Sequence, residues 1–340
     1  MALIKKLLVA GIVVALAGAG GFAWWTKHDL TTGGEPIEFT INPGSGVTAS
    51  AQQMVAAGVP VNPTLFALLA RLTGDAARIK AGSYELKPHT SPRRLLTQLV
   101  RGEFAHETLT IIEGWTFRQM RQAIGAHERL KHDTVELSDQ ELMARISTEF
   151  KDPEGLFFPD TYLFAKGSSE IEIYKRAHQA MLEHLNAAWE KRSEDLPYKT
   201  PYEALIMASI VEKETGQKSE RNMIAGVFVN RLRTGMLLQT DPTVIYGMGE
   251  RYAGQIRKKD LQTDTPYNTY TRSGLPPTPI ALPGLQSLHA ALAPARTQAL
   301  YFVARGDGTS HFSNNLPDHN RAVNRYQRGI MGQPLTDSTQ

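Results

Sequence analysis

Two carboxylates stand close together at the end of an apolar helical segment. Residues 204–215 read ALIMASIVEKET and end with Glu212 and Glu214 on either side of Lys213. Residues two apart on an α-helix point about 200° apart, so the two carboxyls cannot both face one cleft. A carboxyl beside an apolar wall holds its proton more tightly, because desolvation penalises the charged form. One of the two is thus a candidate proton donor and the other is expected to be solvated. The spacing does not show which of the two carboxyls is the proton donor, and it is equally typical of an ordinary exposed helix end.

Two polar and aromatic runs downstream could form the wall of a cleft. QTDPTVIYG (239–247) and PYNTY (266–270) supply hydroxyls, amides and aromatic rings, a mixture that suits the binding of sugars. Each candidate fits a role in holding a loop equally well. The candidate substrate-binding residues are Gln239, Asp241, Thr243, Tyr246, Asn268 and Tyr270.

Other catalytic patterns do not occur in the sequence. There is no HExxH, GxxxxGK[ST] or GxSxG motif and no cysteine. His311 and His319 lie in a polar segment, where histidines usually form hydrogen bonds rather than bind metal. We therefore expect no metal and no cofactor.

The N-terminal segment predicts a membrane anchor. Residues 7–25 contain no charge, and as a helix they would span roughly 28 Å, close to the thickness of the hydrocarbon core. Lys5 and Lys6 precede the segment, which places the N-terminus in the cytoplasm. A cleaved signal peptide ending at 15–17 (ALA) is the alternative, but the apolar residues continue to Trp25.

The remainder of the chain predicts an α+β protein of two domains. A strand at 37–41, helices at 47–58 and 63–73, a strand at 81–86 and a helix from Ser91 to Gly102 form a small α+β subdomain. The larger domain is mostly helical, with a long irregular segment at 239–285. The predicted boundaries are 1–6 for the cytoplasmic N-terminus, 7–25 for the anchor, 26–35 for a linker, 36–108 for the subdomain, 109–332 for the larger domain and 333–340 for a tail.

Length and charge exclude several classes of protein. The 340 residues are 41% hydrophobic and 21% charged, which is the composition of a folded chain with a substantial core. Thirty-seven Lys and Arg balance 34 Asp and Glu, and no dense basic run occurs. Nucleic-acid binding is therefore not expected.

Six segments of the sequence match the motifs of one known family. They are IIEGWTFRQM (111–120), PEGLFFPDTY (153–162), MASIVEKETG (207–216), GVFVNRLRTGMLLQTDPTVIYGMGERY (226–252), YNTYTRSGLPPTPIALPG (267–284) and ALYFVARGDGTSHFS (299–313). Together they resemble the YceG-like family, the endolytic murein transglycosylases of the bacterial inner membrane. The small subdomain, with AGSYEL followed by a short helix at 81–101, resembles the LysM-like module of that family.

The resemblance implies lytic cleavage of peptidoglycan strands between N-acetylmuramic acid and N-acetylglucosamine, leaving a 1,6-anhydromuramyl end. It places the catalytic glutamate in EKET and matches it to Glu214, with Glu212 as the alternative. Glu154 and Asp160 are expected to be structural. The larger domain would lie in the periplasm, on a single-pass protein of the inner membrane. The partners would be glycan strands, the membrane and penicillin-binding synthases, whose products the enzyme would terminate.

Two other functions remain open from the sequence. A muramidase would cleave the same bond with water and leave a reducing end. A non-catalytic wall-binding protein would use only the LysM-like module, and replacing Glu214 would then change nothing.

Overall fold

The computed structural model describes residues 2–30, 34–214 and 217–329. The chain is a mixed α+β protein, about half helical, with three two-stranded sheets among these residues. It divides into two compact units, one formed by Met1–Thr108 with Leu163–Ser168 and the other by Leu109–Tyr162 with Ser169–Gln340. Leu163–Ser168, which the sequence analysis assigned to the larger domain, thus belongs with the smaller unit.

The smaller unit contains one long helix and a small α+β core. The helix α1 (Ala2–Lys27) is followed by β1 (Ile37–Ile41), α2 (Val47–Ala56), α3 (Pro63–Leu72), β2 (Gly82–Leu86) and α4 (Pro92–Arg101). Strands β1 and β2 are antiparallel, and Phe39 pairs with Tyr84 with ring centroids 5.6 Å apart. Both rings are buried in the core of this unit.

Helix α1 is long and apolar enough to cross a membrane. Ile4–Lys27 forms 24 helical residues, and its most apolar window has a mean hydropathy of 2.1 with none of it buried against the protein. At about 1.5 Å per residue such a helix is roughly 36 Å long, more than the hydrocarbon thickness of about 30 Å.

The larger unit is built around one buried helix. Strands β3 (His106–Thr110) and β4 (Thr161–Ala165) each contribute residues to both units. The helices of the larger unit begin with α5 (Phe117–Gly125), α6 (Asp139–Ile146), α7 (Glu170–Glu190) and α8 (Pro201–Glu214). The chain continues through α9 (Arg221–Arg233), α10 (Asp241–Met248), α11 (Lys258–Gln262), α12 (Leu285–Leu292), β5 (Tyr301–Ala304), β6 (Ser310–Ser313) and α13 (Leu316–Tyr326). Residues 204–211 of α8 are buried on every side, and α7, α9, α10 and α12 pack against this helix. A helix that is apolar all round belongs in a core.

The segment predicted to be irregular contains two helices. Residues 239–285 include α10 and α11, so the prediction of a continuous irregular surface is wrong at these two places. The start of α10 has a physical signal, since Thr240 takes the N-cap position and Pro242 lies in the first turn, where its missing N–H costs no hydrogen bond.

Candidate active site

Glu212 and Glu214 lie at the carboxyl end of α8, just beyond its fully buried segment. The two side chains contact different neighbours, as their angular separation requires. Residues 215 and 216 lie outside the described residues. Glu214 is the last residue of α8, where the helix dipole places partial negative charge and disfavours a carboxylate.

Glu214 has a partner that donates a hydrogen bond but carries no charge. The Thr240 hydroxyl donates to Glu214 Oε1. Burial raises the pKa of Glu214 above its ordinary value and the neighbouring Asp241 raises it further, whereas the Thr240 hydrogen bond and Arg231 act in the opposite direction. A carboxyl with a raised pKa keeps its proton to a higher pH, which is the property that a general acid needs.

Glu212 is fully engaged in a buried ion pair. Its Oε1 accepts a hydrogen bond from Arg221 Nη2 at 3.0 Å, and its Oε2 accepts one from the backbone N–H of Gly284 at 3.0 Å. The side chains of Glu212 and Arg221 are only 5% and 7% exposed. Glu212 is therefore not solvated, contrary to the expectation for the second carboxylate, and it links α8 to α9 and to the N-terminal end of α12.

A network of threonines fixes the position of Thr240. Its backbone N–H donates to Thr269 Oγ1 at 3.1 Å, and its carbonyl accepts from the Thr243 hydroxyl at 2.8 Å. Gln239 has a φ of 49° and donates its N–H to the Thr269 carbonyl at 3.1 Å. The Thr240 side chain does not cap α10, although it occupies the N-cap position. Its hydroxyl is directed to Glu214 instead.

The other predicted contact residues fall into two groups by exposure. Asp241 is exposed and accepts a hydrogen bond from the Tyr270 hydroxyl at 2.5 Å. The charge of Asp241 raises the pKa of Glu214, and the charge of Glu214 raises the pKa of Tyr270. Thr243 and Asn268 are fully buried. The Asn268 amide donates to the carbonyls of Leu261 and Thr263 at 3.0 and 2.7 Å and so holds the preceding loop.

Tyr246 joins α10 to a second buried carboxyl. Its hydroxyl donates to Glu154 Oε2 at 3.1 Å, and the backbone N–H of Phe117, at the start of α5, donates to Glu154 Oε1 at 3.0 Å. Burial raises the pKa of Glu154 to about 7, although both hydrogen bonds lower it. The Tyr246 ring lies edge-on to Tyr267 with centroids 4.8 Å apart. Glu154 thus binds Tyr246 near the carboxyl end of α10, whereas Thr240, at the start of this helix, contacts Glu214.

Sequence reasoning missed several residues that shape this site. Arg231 is 7% exposed and donates from Nη1 to the Leu238 carbonyl at 2.6 Å, just before Gln239. Burial lowers its pKa. In the sequence, the sign that Arg231 is buried was its position inside the apolar run of α9. A Cβ at Gly284 would lie 2.0 Å from Glu113 Oε1, so a larger residue there would displace the exposed Glu113 side chain.

No group of three or more His, Asp or Glu side chains that could hold a metal ion occurs among residues 2–30, 34–214 and 217–329. His311 lies in β6 and His319 in α13, where its ring stacks on Tyr301 with centroids 5.1 Å apart.

Comparisons with known proteins find one family. The YceG-like family model matches residues 39–325. The endolytic murein transglycosylase of Bacillus subtilis strain 168 is 32% identical over 309 residues, which cover 85% of this chain and 84% of that protein. The protein of the same name from Streptococcus pneumoniae serotype 2 is 30% identical, and the match covers 94% of this chain and 65% of that protein. The crystal structure of a YceG-like protein from Listeria monocytogenes has a TM-score of 0.54 and 33% identity, covering 85% of this chain and 99% of that chain.

Proposed function

The chain belongs to the YceG-like family, and we propose that it is a membrane-anchored endolytic transglycosylase that cleaves peptidoglycan strands with Glu214 as its acid and base. The observation that carries this proposal is the contrast between the two carboxyls of α8. Glu212 is held in an ion pair, whereas Glu214 is mostly buried, has a raised pKa and bonds to a neutral hydroxyl. Of the two, Glu214 is the better candidate for the proton donor, because its raised pKa favours the protonated form.

The reaction needs one carboxyl that acts twice. Protonated Glu214 donates its proton to the glycosidic oxygen between N-acetylmuramic acid and N-acetylglucosamine as the bond to the anomeric carbon breaks. The resulting carboxylate takes the proton of the muramyl 6-hydroxyl, whose oxygen forms the new bond to that carbon. Glu214 is then protonated again, and no water is consumed. The internal nucleophile has a high effective concentration, so the second carboxylate of a hydrolase is not required.

The neighbouring residues position Glu214 and the sugar. Thr240 orients the Glu214 carboxyl, because its own backbone is fixed by Thr269. We assign substrate contacts to the candidates that are exposed or half-buried residues, which are Gln239, Asp241, Tyr246 and Tyr270. Thr243 and Asn268 hold the two loops in this assignment, because their side chains are buried.

The location of the reaction follows from α1. With Lys5 and Lys6 before it, α1 would anchor the chain in the inner membrane with its N-terminus in the cytoplasm. The larger unit would then lie in the periplasm, and the smaller unit would act as a LysM-like wall-binding module. An enzyme in this place would cleave strands as penicillin-binding synthases release them and would leave 1,6-anhydromuramyl ends.

The mass of the product tests the proposal. Full-length protein in detergent is incubated with peptide-bearing glycan strands, beside its Glu214→Gln variant. Products lighter by one water than those of a hydrolase, and absent with the variant, are expected. Reducing ends would identify a muramidase instead. Absence of cleavage by the wild-type protein would favour the non-catalytic wall-binding function.

A further inference from the structure

A basic cavity lies beside α10, on residues that the proposed reaction does not use. Its volume is about 290 Å³, and it is formed by α10, α11 and the loop between them. Val244 and Met248 contribute apolar surface from α10. Arg251, Arg257 and Lys259 supply three cationic groups, against one carboxylate, that of Asp260.

The acidic residues around the cavity have other partners. Asp260 Oδ2 accepts a hydrogen bond from the backbone N–H of Arg257 at 2.8 Å. Asp264 accepts two hydrogen bonds of 2.8 Å from Arg272, and Glu250 pairs with Arg118 at 2.8 Å. Within the described part of the chain, no carboxylate forms an ion pair with the three cationic side chains of the cavity.

A hydroxyl of the cavity wall also has no partner. Thr265 lines the cavity, and its Oγ1 is buried without a hydrogen-bond partner among the described residues. A buried hydroxyl normally forms at least one hydrogen bond, and an unpaired one is costly. Because this oxygen is closed off from solvent, an anion in the cavity would reach it only after rotation of the Thr265 side chain.

We infer that this cavity binds a carboxylate of the peptide carried by the glycan strand. Arginine and lysine side chains suit a carboxylate, and the apolar surface of Val244 and Met248 suits the aliphatic part of a peptide. The inference rests on the proposed function, since the same helix begins at Asp241, beside Glu214. The cavity at Met248 lies roughly 10 Å further along the helix axis. A strand cleaved at Glu214 can therefore present its peptide to this cavity.

The test compares strands with and without peptides. The variant replaces Arg251, Arg257 and Lys259 by glutamine in the full-length protein, and Lys258→Gln is the matched control, because Lys258 is an exposed neighbour that does not line the cavity. On peptide-bearing strands we expect the KM of the triple variant to rise about tenfold with kcat unchanged, and the KM on peptide-stripped strands to stay the same. An equal rise on both substrates, or none on either, overturns the inference.

A binding measurement keeps the inference separate from the proposed activity. Full-length protein with Glu214→Gln is titrated with a soluble disaccharide-peptide, and with the same compound after amidation of its carboxylates. We expect amidation of the compound to weaken its binding about tenfold, and the triple substitution to weaken the binding of the unmodified compound by the same factor. That result supports binding of a carboxylate in the cavity even where no cleavage occurs. Equal binding of both compounds refutes it. If the wild-type protein cleaves neither kind of strand, the proposed function fails, and the titration still decides on the cavity.

Discussion

Replacing Glu212 and Glu214 by glutamine should have opposite consequences, although the two residues are neighbours at the end of α8. Glutamine keeps the shape of the side chain and removes only its charge and its transferable proton. We expect Glu212→Gln to lower the stability of the protein while the folded molecules keep most of their activity. We expect Glu214→Gln to lower the activity while the stability is kept.

The loss of stability expected for Glu212→Gln follows from the ion pair of Glu212 with Arg221. Arg221 is 7% exposed, and without the carboxylate its guanidinium stays buried with no opposite charge. Breaking a buried pair by removing one partner costs about 3–5 kcal/mol. Glutamine still accepts the hydrogen bond of the Gly284 N–H, so we expect the lower end, about 3 kcal/mol. For a unit of roughly 200 residues this lowers Tm by about 6–12 °C.

Glu214→Gln should behave differently because the pKa of Glu214 is raised. A carboxyl with a higher pKa in the folded than in the unfolded state favours folding below the ordinary pKa, and this contribution is lost as pH rises through the folded-state pKa. Above the folded-state pKa of Glu214, its buried carboxylate destabilises the folded protein, and glutamine removes this effect. The Tm of the variant should equal or exceed that of the wild-type protein. Its turnover should fall about 10²–10⁴-fold, because the amide has no proton to give.

Thermal unfolding and single-turnover cleavage, both at pH 5 and pH 8 in the same detergent, measure the two effects. The stability advantage of Glu214→Gln should be larger at pH 8 than at pH 5. The reasoning would be refuted if Glu212→Gln lost turnover as severely as Glu214→Gln without losing stability. That result would make Glu212 the proton donor and the ion pair with Arg221 incidental.

Three further substitutions test the groups around α10. Glu154 has a pKa of about 7 against an ordinary 4.5, so the wild-type protein should lose about 3 kcal/mol of unfolding free energy between pH 4.5 and 7. Glu154→Gln should abolish this dependence in denaturant titrations at several pH values, and an unchanged slope would contradict the assignment. Thr240→Val removes a hydrogen bond that lowers the pKa of Glu214, so the alkaline limb of the pH profile of kcat/KM should move to higher pH; a shift to lower pH would count against the contact. Asn268→Ala leaves the carbonyls of Leu261 and Thr263 unpaired and should cost about 2–3 kcal/mol, measured by denaturant unfolding, with the product unchanged.

Elements with local signals were predictable from the sequence. Helix α4 begins after Ser91, whose hydroxyl accepts from the Arg94 N–H at 3.3 Å, and it ends before Gly102, which has a φ of 72°. Cap, proline and glycine all lie within one short segment, so no distant contact is needed to place the ends of this helix. The apolar run of α1 is recognisable for the same reason.

The site depends on contacts that a linear reading does not contain. The two-residue spacing indicated that Glu212 and Glu214 diverge, but not which of them is paired. That depends on Arg221 and Gly284 for Glu212 and on Thr240 for Glu214, all of them supplied by other elements. Only the tertiary structure brings these partners to the end of α8.

The start of α10 shows why local rules fail at this site in particular. Thr240 has the residue type and position of an N-cap, and using its hydroxyl there would stabilise the helix by about 1 kcal/mol. The hydroxyl instead donates to Glu214. The hydrogen bonds of Thr269 and Thr243 hold the backbone of Thr240 in the position that this contact needs. Helix stability is given up where a side chain is needed elsewhere, which is the expected pattern at functional sites. The direction of the Thr240 hydroxyl toward Glu214 is the arrangement that the proposed role of Glu214 as proton donor requires.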